Sequence, residues 1–367
     1  MNIPEKWRSL KSTEAWRTFR NELDSVVEQM LEASRTELEV IDAYKMVLNT
    51  LAMASEVVLD PKPENPAFVR MDTPVRKTAG DNPDGEYDVA VIDGRYDYRI
   101  RGNKGTVSYV GFQVLAGGGM TPRRHAVNIK DEDIETDAEG NFELILGRER
   151  RDAEGEWVRI PEDASSIVVR QYVKDRARET LASYSLSTVE SMDTLVPTDE
   201  TFARQLLSTT WAMSNMSLLF KAPKKPNPDD YPNQLLNLNA EQAVAADTSA
   251  DNMYMFCVYK LEPGQALQID VEPPETRYWN FTVYNYWHEC VDYMTQPVSL
   301  TNAHANYRAD GSVRIVVSEQ RPENFPESAN WLSTLGRDRG YLVFRWMDRP
   351  CLKEGSARVV PVTNDFS

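Results

Sequence analysis

The residues best suited to chemistry lie within residues 277–293, where tyrosines, one imidazole and two carboxylates occur together. His288 is close to Glu289 and Asp292, whose carboxylates can orient or charge an imidazole that exchanges protons near neutral pH. Tyr286 lies two residues before His288, so the two side chains share a face if the strand continues that far. These four residues are the candidate catalytic groups for acid–base chemistry. The structural alternative is a surface histidine, or a core histidine with satisfied hydrogen bonds, at a strand end.

The alternation of side chains around these residues predicts a strand with two different faces. One face is apolar and typical of a core wall: Trp279, Phe281, Val283 and Trp287. The other face carries rings and amides with hydrogen-bonding tips: Tyr278, Asn280, Thr282, Tyr284, Tyr286 and His288. Tyrosine rings bury an apolar body while the hydroxyl needs a polar partner. We therefore expect the second face to be covered by another element or by a ligand.

Other residues extend the predicted binding surface. Arg277 and Arg345 each lie in an aromatic strand, where a guanidinium can stack on rings or bind a carboxylate or phenolate. Pairing with a carboxylate of the sheet is the structural alternative. Trp331 can close an apolar cavity or belong to the core, and residues 81–84 are typical of a turn. The predicted substrate-binding residues are Arg277, Tyr278, Asn280, Tyr284, Trp287, Trp331, Asp81 and Asn82.

Composition excludes several classes of function. A net charge of −16 over 367 residues favours solubility and argues against binding to nucleic acid or to an anionic membrane. No stretch approaches ~18 uninterrupted apolar residues, and the N-terminal residues lack the apolar core of a signal peptide. The three cysteines, Cys257, Cys290 and Cys351, show no paired spacing and predict no disulfide framework. The sequence therefore predicts a cytoplasmic protein.

Cofactor and metal motifs are not found in the sequence. The histidines at 125, 288 and 304 lack the spacing of a metal site, although distant residues could still converge on one. The glycines at 117–119 do not form a dinucleotide fingerprint, and neither a phosphate-binding loop nor a hydrolase nucleophile elbow occurs. We predict neither a cofactor nor a metal.

Periodicity divides the chain into four parts. Apolar residues at three- and four-residue steps predict a helical segment over 1–62, including the stripe of Leu38, Ile41, Tyr44, Leu48 and Leu51. Alternating residues and turn signals then predict a first β-sandwich unit over 63–178 and a second over 251–367. Residues 179–250 form a predicted helical connector with a proline-rich linker at 221–233. The expected fold is mainly β with helical additions (α+β), with two antiparallel sandwich or jelly-roll-like units and an N-terminal helical hairpin.

An ordered set of short motifs resembles a known family. The motifs begin at residues 277, 300, 310, 330 and 340, with further matches that begin at 68, 80 and 92 in the first half. The sequence resembles the domain-of-unknown-function 1214 family, in its C-terminal domain and in the N-terminal half of its longer members. This resemblance implies packed β-sandwiches with helical additions, and it implies no settled reaction.

Three functions fit these observations. The preferred hypothesis is a cofactor-independent enzyme, with lyase chemistry ahead of hydrolysis or isomerisation, acting on an apolar aromatic or polycyclic small molecule in an aromatic-lined pocket. The second is a non-catalytic sandwich protein that binds carbohydrate or another small molecule. The third is an assembly protein whose aromatic face forms a subunit interface, and a homo-oligomer is left open in every case.

Overall fold

The computed structural model describes residues 3–59, 62–118, 121–150, 156–193, 195–221, 230–237, 252–348 and 355–366. Within these ranges the chain forms three α-helices, short 3-10 turns, and eighteen β-strands in four sheets. The helices are α1 (Lys11–Ala33), α2 (Glu37–Val58) and α3 (Asp199–Ser217). The strands of the first half are β1 (Val69–Arg70), β2 (Gly85–Val91), β3 (Tyr98–Asn103), β4 (Tyr109–Gly118), β5 (Thr121–Ile129), β6 (Asn141–Gly147), β7 (Glu156–Arg159), β8 (Ala164–Tyr172) and β9 (Ser183–Thr188). Those of the second half are β10 (Leu235–Asn237), β11 (Met253–Lys260), β12 (Gln265–Val271), β13 (Trp279–Tyr284), β14 (Ser299–Thr301), β15 (Val313–Ser318), β16 (Ala329–Ser333), β17 (Arg339–Trp346) and β18 (Ser356–Pro361).

Each half of the chain builds one sandwich of two sheets. The first sandwich packs the sheet β1-β2-β8-β4-β5 against the sheet β7-β6-β3-β9, and the second packs β10-β11-β17-β13-β14 against β16-β15-β12-β18. Nearly all neighbouring strands are antiparallel, and β6-β7 and β15-β16 are parallel. This confirms the predicted fold class of two sandwich units with an N-terminal helical hairpin. Strand β9 extends the first sandwich beyond residue 178, into the segment predicted to be a connector.

Strand β13 shows why the second sandwich forms where it does. Trp279, Phe281 and Val283 point into its core, and the ring of Phe281 stacks on Phe344 of β17 with centroids 4.1 Å apart. Burying such large apolar side chains is the main favourable contribution to folding. The strand ends at Tyr284, however, and does not continue to Trp287 as the alternation predicted.

The three helices pack on one another and bury residues such as Val26, Met46 and Met213. Thr198 caps the N-terminus of α3 through its own side chain. The N-terminus of α1 is capped by a residue distant in sequence, because Asp199 accepts from the backbone amide of Lys11 at 2.8 Å. The apolar stripe predicted for α2 is not its buried face. Ile41, Tyr44 and Leu48 remain exposed, and the buried face carries instead Glu39, Asp42, Ala43, Met46, Val47, Thr50, Met53 and Ala54.

Two buried ion pairs explain this orientation of α2. Glu39 accepts from Nε of Arg339 at 2.5 Å. The two oxygens of Asp42 accept from Nε and Nη2 of Arg337, each at 2.9 Å. Both carboxylates are buried. Since buried charges must be paired, the helix turns these acids toward the arginines of the second sandwich and leaves the apolar stripe outside.

Parts of the predicted helical connector at 179–250, including much of its linker at 221–233, lie outside the described residues, as does Cys351. Among the helices that are described, none combines the length and apolar character that crossing a bilayer requires.

The buried pair gives a first prediction. Replacing Arg339 by methionine keeps an apolar stem but leaves the Glu39 carboxylate buried without its partner, so we expect a loss of roughly 3–5 kcal/mol in the free energy of unfolding. The matched control is Lys11→Met, which breaks an exposed pair with Glu200 and should cost at most about 1 kcal/mol. Urea denaturation measures both, and equal losses would contradict the structural role of the buried pair.

Candidate functional site

The polar face of β13 is covered by the first sandwich. Tyr278, Asn280 and Tyr284 have no exposed surface. The ring of Tyr278 stacks on Tyr172 of β8 with centroids 5.0 Å apart and planes 11° apart, and Tyr172 stacks in turn on Tyr109 of β4. The prediction that another element covers this face is therefore confirmed. The covering element is the sheet β1-β2-β8-β4-β5, so the two sandwiches meet along the tyrosine row.

Two loops close one end of this interface by holding each other. The loop after β13 turns at His288, whose φ of 69° is left-handed, and Glu289 donates its amide to the side chain of Asn285 at 3.0 Å. The second loop precedes β2. Its Gly80 donates to the carbonyl of His288 at 2.7 Å, and Asp81 accepts the amide of Cys290 at 2.7 Å. Hydrogen bonds from backbone to backbone and to a carboxylate therefore fix both loops.

Residues 81–85 form the tight turn that their composition predicts. The amide of Gly85 donates to the carbonyl of Asn82 at 3.0 Å, and the amide of Asp84 donates to the Asn82 side chain at 3.1 Å. Asn280 then donates to Asn82 Oδ1 at 2.8 Å and to Asp84 Oδ2 at 2.9 Å. Ser299 of β14 also donates to Asp84. Strand β13 therefore positions this turn directly.

An open cleft of about 450 Å³ lies over the turn, between the two sandwiches. We call it the interface cleft. Its walls are formed by residues 72–74, 81–86, 176, 293 and 296–299. Asp81 Oδ1 is taken by the Cys290 amide, whereas Oδ2 makes no hydrogen bond within the described part of the chain. That oxygen is available to a molecule in the cleft.

The carboxyl groups of the cleft have raised pKa values. Burial raises the pKa of Asp72 to about 6, against the opposing effects of the Thr78 hydroxyl and Arg76. Burial raises the pKa of Asp81 well above its usual range, and the neighbouring charge of Asp72 raises it further. Burial also raises the pKa of Asp84, while hydrogen bonds from Asn280 and Ser299 oppose the shift. The strongest upward shift in pKa among these carboxyl groups is that of Asp81, which is the group best suited to keep a proton.

The predicted catalytic residues lie in different environments. His288 is buried, with its ring between Tyr284 and Phe256 at centroid distances of 4.7 and 5.7 Å, behind the loop that bears Asp81. Glu289 is buried against α2 and accepts from Asn49 at 2.9 Å. Burial raises its pKa to about 7. Neither residue is part of the wall of the interface cleft.

Other predicted site residues lie elsewhere. Tyr286 and Trp287 pack among the helices, because the turn after Tyr284 carries them away from the strand face: Arg339 lies 3.8 Å from the Tyr286 ring centroid, and Trp287 donates to the carbonyl of Glu39 at 2.8 Å. The remaining three have structural partners. Arg277 pairs with Asp131 and Asp348, Trp331 donates to Ser318 at 2.9 Å, and the exposed Asp292 accepts from Thr295.

Five of the predicted site residues lie together at the interface between the two sandwiches, and the other predicted site residues lie elsewhere. Those united at the interface are Tyr278, Asn280, Tyr284, Asp81 and Asn82. Sequence reasoning did not place Asp72, Asp84 or Ser299 among the site residues, and it considered Arg345 as a carboxylate-binding group without including it in the predicted site. Asp84 belongs to the same turn signal as Asp81, so composition could have indicated it, whereas Asp72 and Ser299 join the site only through the packing of the two sandwiches.

A larger, open depression of about 1010 Å³ lies on the first sandwich, beside Arg101, Glu143 and Trp157. Its charged groups pair with each other, as Arg101 does with Glu143 at 2.5 Å, so it offers fewer groups for chemistry than the interface cleft. Among the described residues, no three histidine, cysteine, aspartate or glutamate side chains lie close enough together to hold a metal ion.

Glu289 gives a prediction for the pH dependence of stability. Its pKa in the folded protein is above the unfolded value, so the folded state binds the extra proton, and the resulting stabilisation is present below about pH 4.5 and lost as the pH rises through about 7. In Glu289→Gln the side chain is always neutral, so its free energy of unfolding does not fall with this titration. Relative to wild type, the free energy of unfolding of the variant should therefore rise by on the order of 3 kcal/mol as the pH increases from 4.5 to 8. Urea unfolding of both proteins across this range measures the difference, and a constant difference would contradict the shift.

Comparison with known proteins finds a family match within the C-terminal half. Residues 243–350 match the family model described as protein of unknown function, DUF1214. No curated protein matches the chain. The crystal structure of an uncharacterized protein from Burkholderia cenocepacia is similar over 96% of this chain and 98% of its own, with 27% identity and a TM-score of 0.88. A protein from Vibrio parahaemolyticus is 11% identical, over 83% of this chain and 93% of its own, with a TM-score of 0.46. The match over residues 243–350 confirms the resemblance to this family that the C-terminal motifs indicated.

Proposed function

We propose that this protein is an acid–base enzyme of the lyase type, acting on a small molecule bound in the interface cleft. The observation that supports it most is that Asp81 and Asp84 lie in one cleft and that their carboxyl groups have different hydrogen-bond partners. Asp84 accepts hydrogen bonds from Asn280 and Ser299, which stabilise its charged form. Asp81 has one oxygen directed to a backbone amide and one without a hydrogen bond. Two carboxyls in different environments can serve as base and acid.

An elimination shows how the two groups would act together. Asp84, as the carboxylate, accepts the proton from a carbon next to a carbonyl or carboxyl group. Asp81, as the neutral acid, donates its proton to the leaving oxygen. The C–H and C–O bonds break, a carbon–carbon double bond forms, and water or an alcohol leaves. The two carboxyls exchange protonation states and return to the start through solvent.

The lining of the cleft favours a polar substrate over the apolar or polycyclic one that the sequence predicted. The wall combines carboxyl groups, prolines, Arg176 and the ring of Tyr293. One face of the Tyr278 ring is covered by Tyr172, and one face of the Tyr284 ring is covered by His288. Protein rings thus occupy positions where a stacked polycyclic substrate would lie, so the tyrosine row acts chiefly as the interface.

Binding without turnover is the second candidate. Tyr293 lies beside the carboxyl groups at the cleft, and its ring lies against the Lys77 ammonium at 4.7 Å. A half-buried ring flanked by hydrogen-bonding carboxylates can also hold a sugar, whose hydroxyls are donors and whose ring face is apolar. In that case the same variants would weaken binding, and no product would form.

The test exploits the solvent proton that an acid–base enzyme transfers. A metabolite extract is incubated in D₂O with the wild-type protein, Asp81→Asn or Asp310→Asn, and mass spectrometry follows species that are consumed or gain deuterium. Asp310 is an exposed turn residue that accepts from Ser312 and is not part of the cleft wall, so it is the matched control. We expect the same species to change with wild type and Asp310→Asn, and the rate to fall about 100-fold or more with Asp81→Asn.

Two results would contradict the proposal. One is no protein-dependent change in any species, and the other is an unchanged rate in Asp81→Asn with the variant correctly folded. A saturable ligand recovered intact would select the binding candidate instead.

A further inference from the structure

Arg345 is the most unusual buried charge in the described structure. It lies on β17 opposite Asn280 of β13 and Tyr254 of β11, on the face that meets the first sandwich, and only 4% of its surface is exposed. Its Nη2 donates to the hydroxyl of Tyr284 at 2.6 Å. Its Nε and Nη1 are buried and make no hydrogen bond. Since a guanidinium keeps its charge and offers five donors, most of its hydrogen-bonding capacity is unused.

No carboxylate compensates this charge. Within the described residues, Arg345 has no ion pair, in contrast to Arg337 and Arg339, each of which is paired with a buried acid. Asp84 is close enough for its pKa to be lowered by Arg345, yet its oxygen is held by Asn280 and Ser299. Buried charges without a partner are rare in proteins and indicate a place where a ligand supplies the opposite charge.

Neutral hydroxyl groups surround the guanidinium. The Tyr254 ring centroid lies 6.0 Å from Cζ of Arg345, and Tyr87, Tyr278 and Tyr284 interact with its charge. Burial raises the pKa of Tyr87, Tyr278 and Tyr284, so these hydroxyls keep their protons. The Tyr87 hydroxyl makes no hydrogen bond in the described structure and is a further donor. These hydroxyls are neutral, and hydroxyl donors of this kind are what an anionic oxygen requires.

Hydrogen bonds and strand neighbours link Arg345 to the wall of the interface cleft. Asn280, the cross-strand neighbour of Arg345, donates to Asn82 and Asp84 in the wall of the cleft. Tyr87 follows the cleft residues Gly85 and Glu86 on β2. The hydroxyl of Tyr284 accepts from Arg345 and donates to the carbonyl of Asp81 at 2.5 Å. Hydrogen bonds thus connect the guanidinium to the proposed acid.

The geometry points to Arg345 as the residue that binds the carboxylate group of the substrate, so that the substrate class is a small carboxylic acid whose reacting carbon extends into the interface cleft. Nη2 gives one of its two hydrogens to Tyr284, so one edge of the guanidinium still presents two parallel donors, the arrangement that a carboxylate binds. This inference rests on the proposed function, because it assigns the anchoring group for the same reaction. The guanidinium that binds this carboxylate also stabilises the negative charge that develops when Asp84 removes the adjacent proton.

The experiment compares matched anions and amides. Benzoate and acetate are titrated against the full chain by ligand-observed NMR, beside benzamide, acetamide and inorganic phosphate. We expect the carboxylates to bind and the amides not to bind. Arg345→Gln should lower the affinity for benzoate about tenfold or more. Arg345→Lys keeps the charge without the planar pair of donors and should recover only part of the affinity. Arg95→Gln, which loses an exposed arginine paired with Asp93, is the control and should bind as wild type does.

A second measurement uses the wild-type protein, where folding of a variant is not in question. In crystals soaked with 4-bromobenzoate, the bromine signal should place the carboxylate on Arg345 and the ring toward the cleft. Ordered water alone on Nε and Nη1, equal binding of benzamide, or phosphate binding tighter than any carboxylate would overturn the assignment.

The two proposals fail in different ways. If the protein binds carboxylates through Arg345 but Asp81→Asn does not alter turnover, the reaction is wrong and the anion site stands. If Asp81→Asn abolishes turnover while Arg345→Gln changes neither kcat nor KM, the acid–base proposal stands and the anion site is wrong.

Discussion

The burial of one polar strand face between two sheets is the constraint on which the rest of this structure depends. Tyr278, Asn280 and Tyr284 are fully buried, and a buried polar group without a partner is costly. Their partners come from the turn before β2: Asn82 donates to the Tyr278 hydroxyl at 3.1 Å, and the Tyr284 hydroxyl donates to Asp81. The relative position of the two sandwiches is therefore set by directional bonds as well as by apolar contact.

The same constraint produces the candidate site. Once the turn over residues 81–85 is held on β13, its carboxyl groups are partly withdrawn from water, and burial raises their pKa values. Groups that would be ordinary surface aspartates in an isolated loop thus hold a proton more readily, Asp81 most of all. The shifted pKa values of the cleft and the relative position of the two sandwiches thus have the same cause, which is the packing of a polar turn against the polar face of β13.

The helices stabilise the opposite side of the loop that carries His288. Trp287 donates to the backbone of α2, Tyr286 lies against Arg339, and Asn49 donates to Glu289. These contacts anchor the segment after β13 to the bundle, so His288 and Cys290 can present their backbone groups to Gly80 and Asp81. The aromatic residues beyond Tyr284 therefore support the position of the loop and do not line the cleft.

The sequence by itself determined the elements whose signals are local. Alternation of side chains showed the two faces of β13, turn residues showed the strand boundaries, and the family motifs at 277–346 were recognisable in the chain. Asp81 and Asn82 were identified because a turn composition and a motif coincide there. The end of the strand at Tyr284 was not predictable from alternation, because Tyr286 and Trp287 suit a helix bundle as well as a sheet.

Only the tertiary structure decided which of these side chains meet. Asp84 and Ser299 are 215 residues apart, and Arg345 meets the turn only through its neighbour Asn280. Likewise, the buried face of α2 follows its ion pairs with Arg337 and Arg339 and not its apolar stripe. Periodicity reports how residues are arranged along one element, whereas burial, charge pairing and pKa depend on what a second element places against it. That is why the site, unlike the strands that build it, required the folded chain.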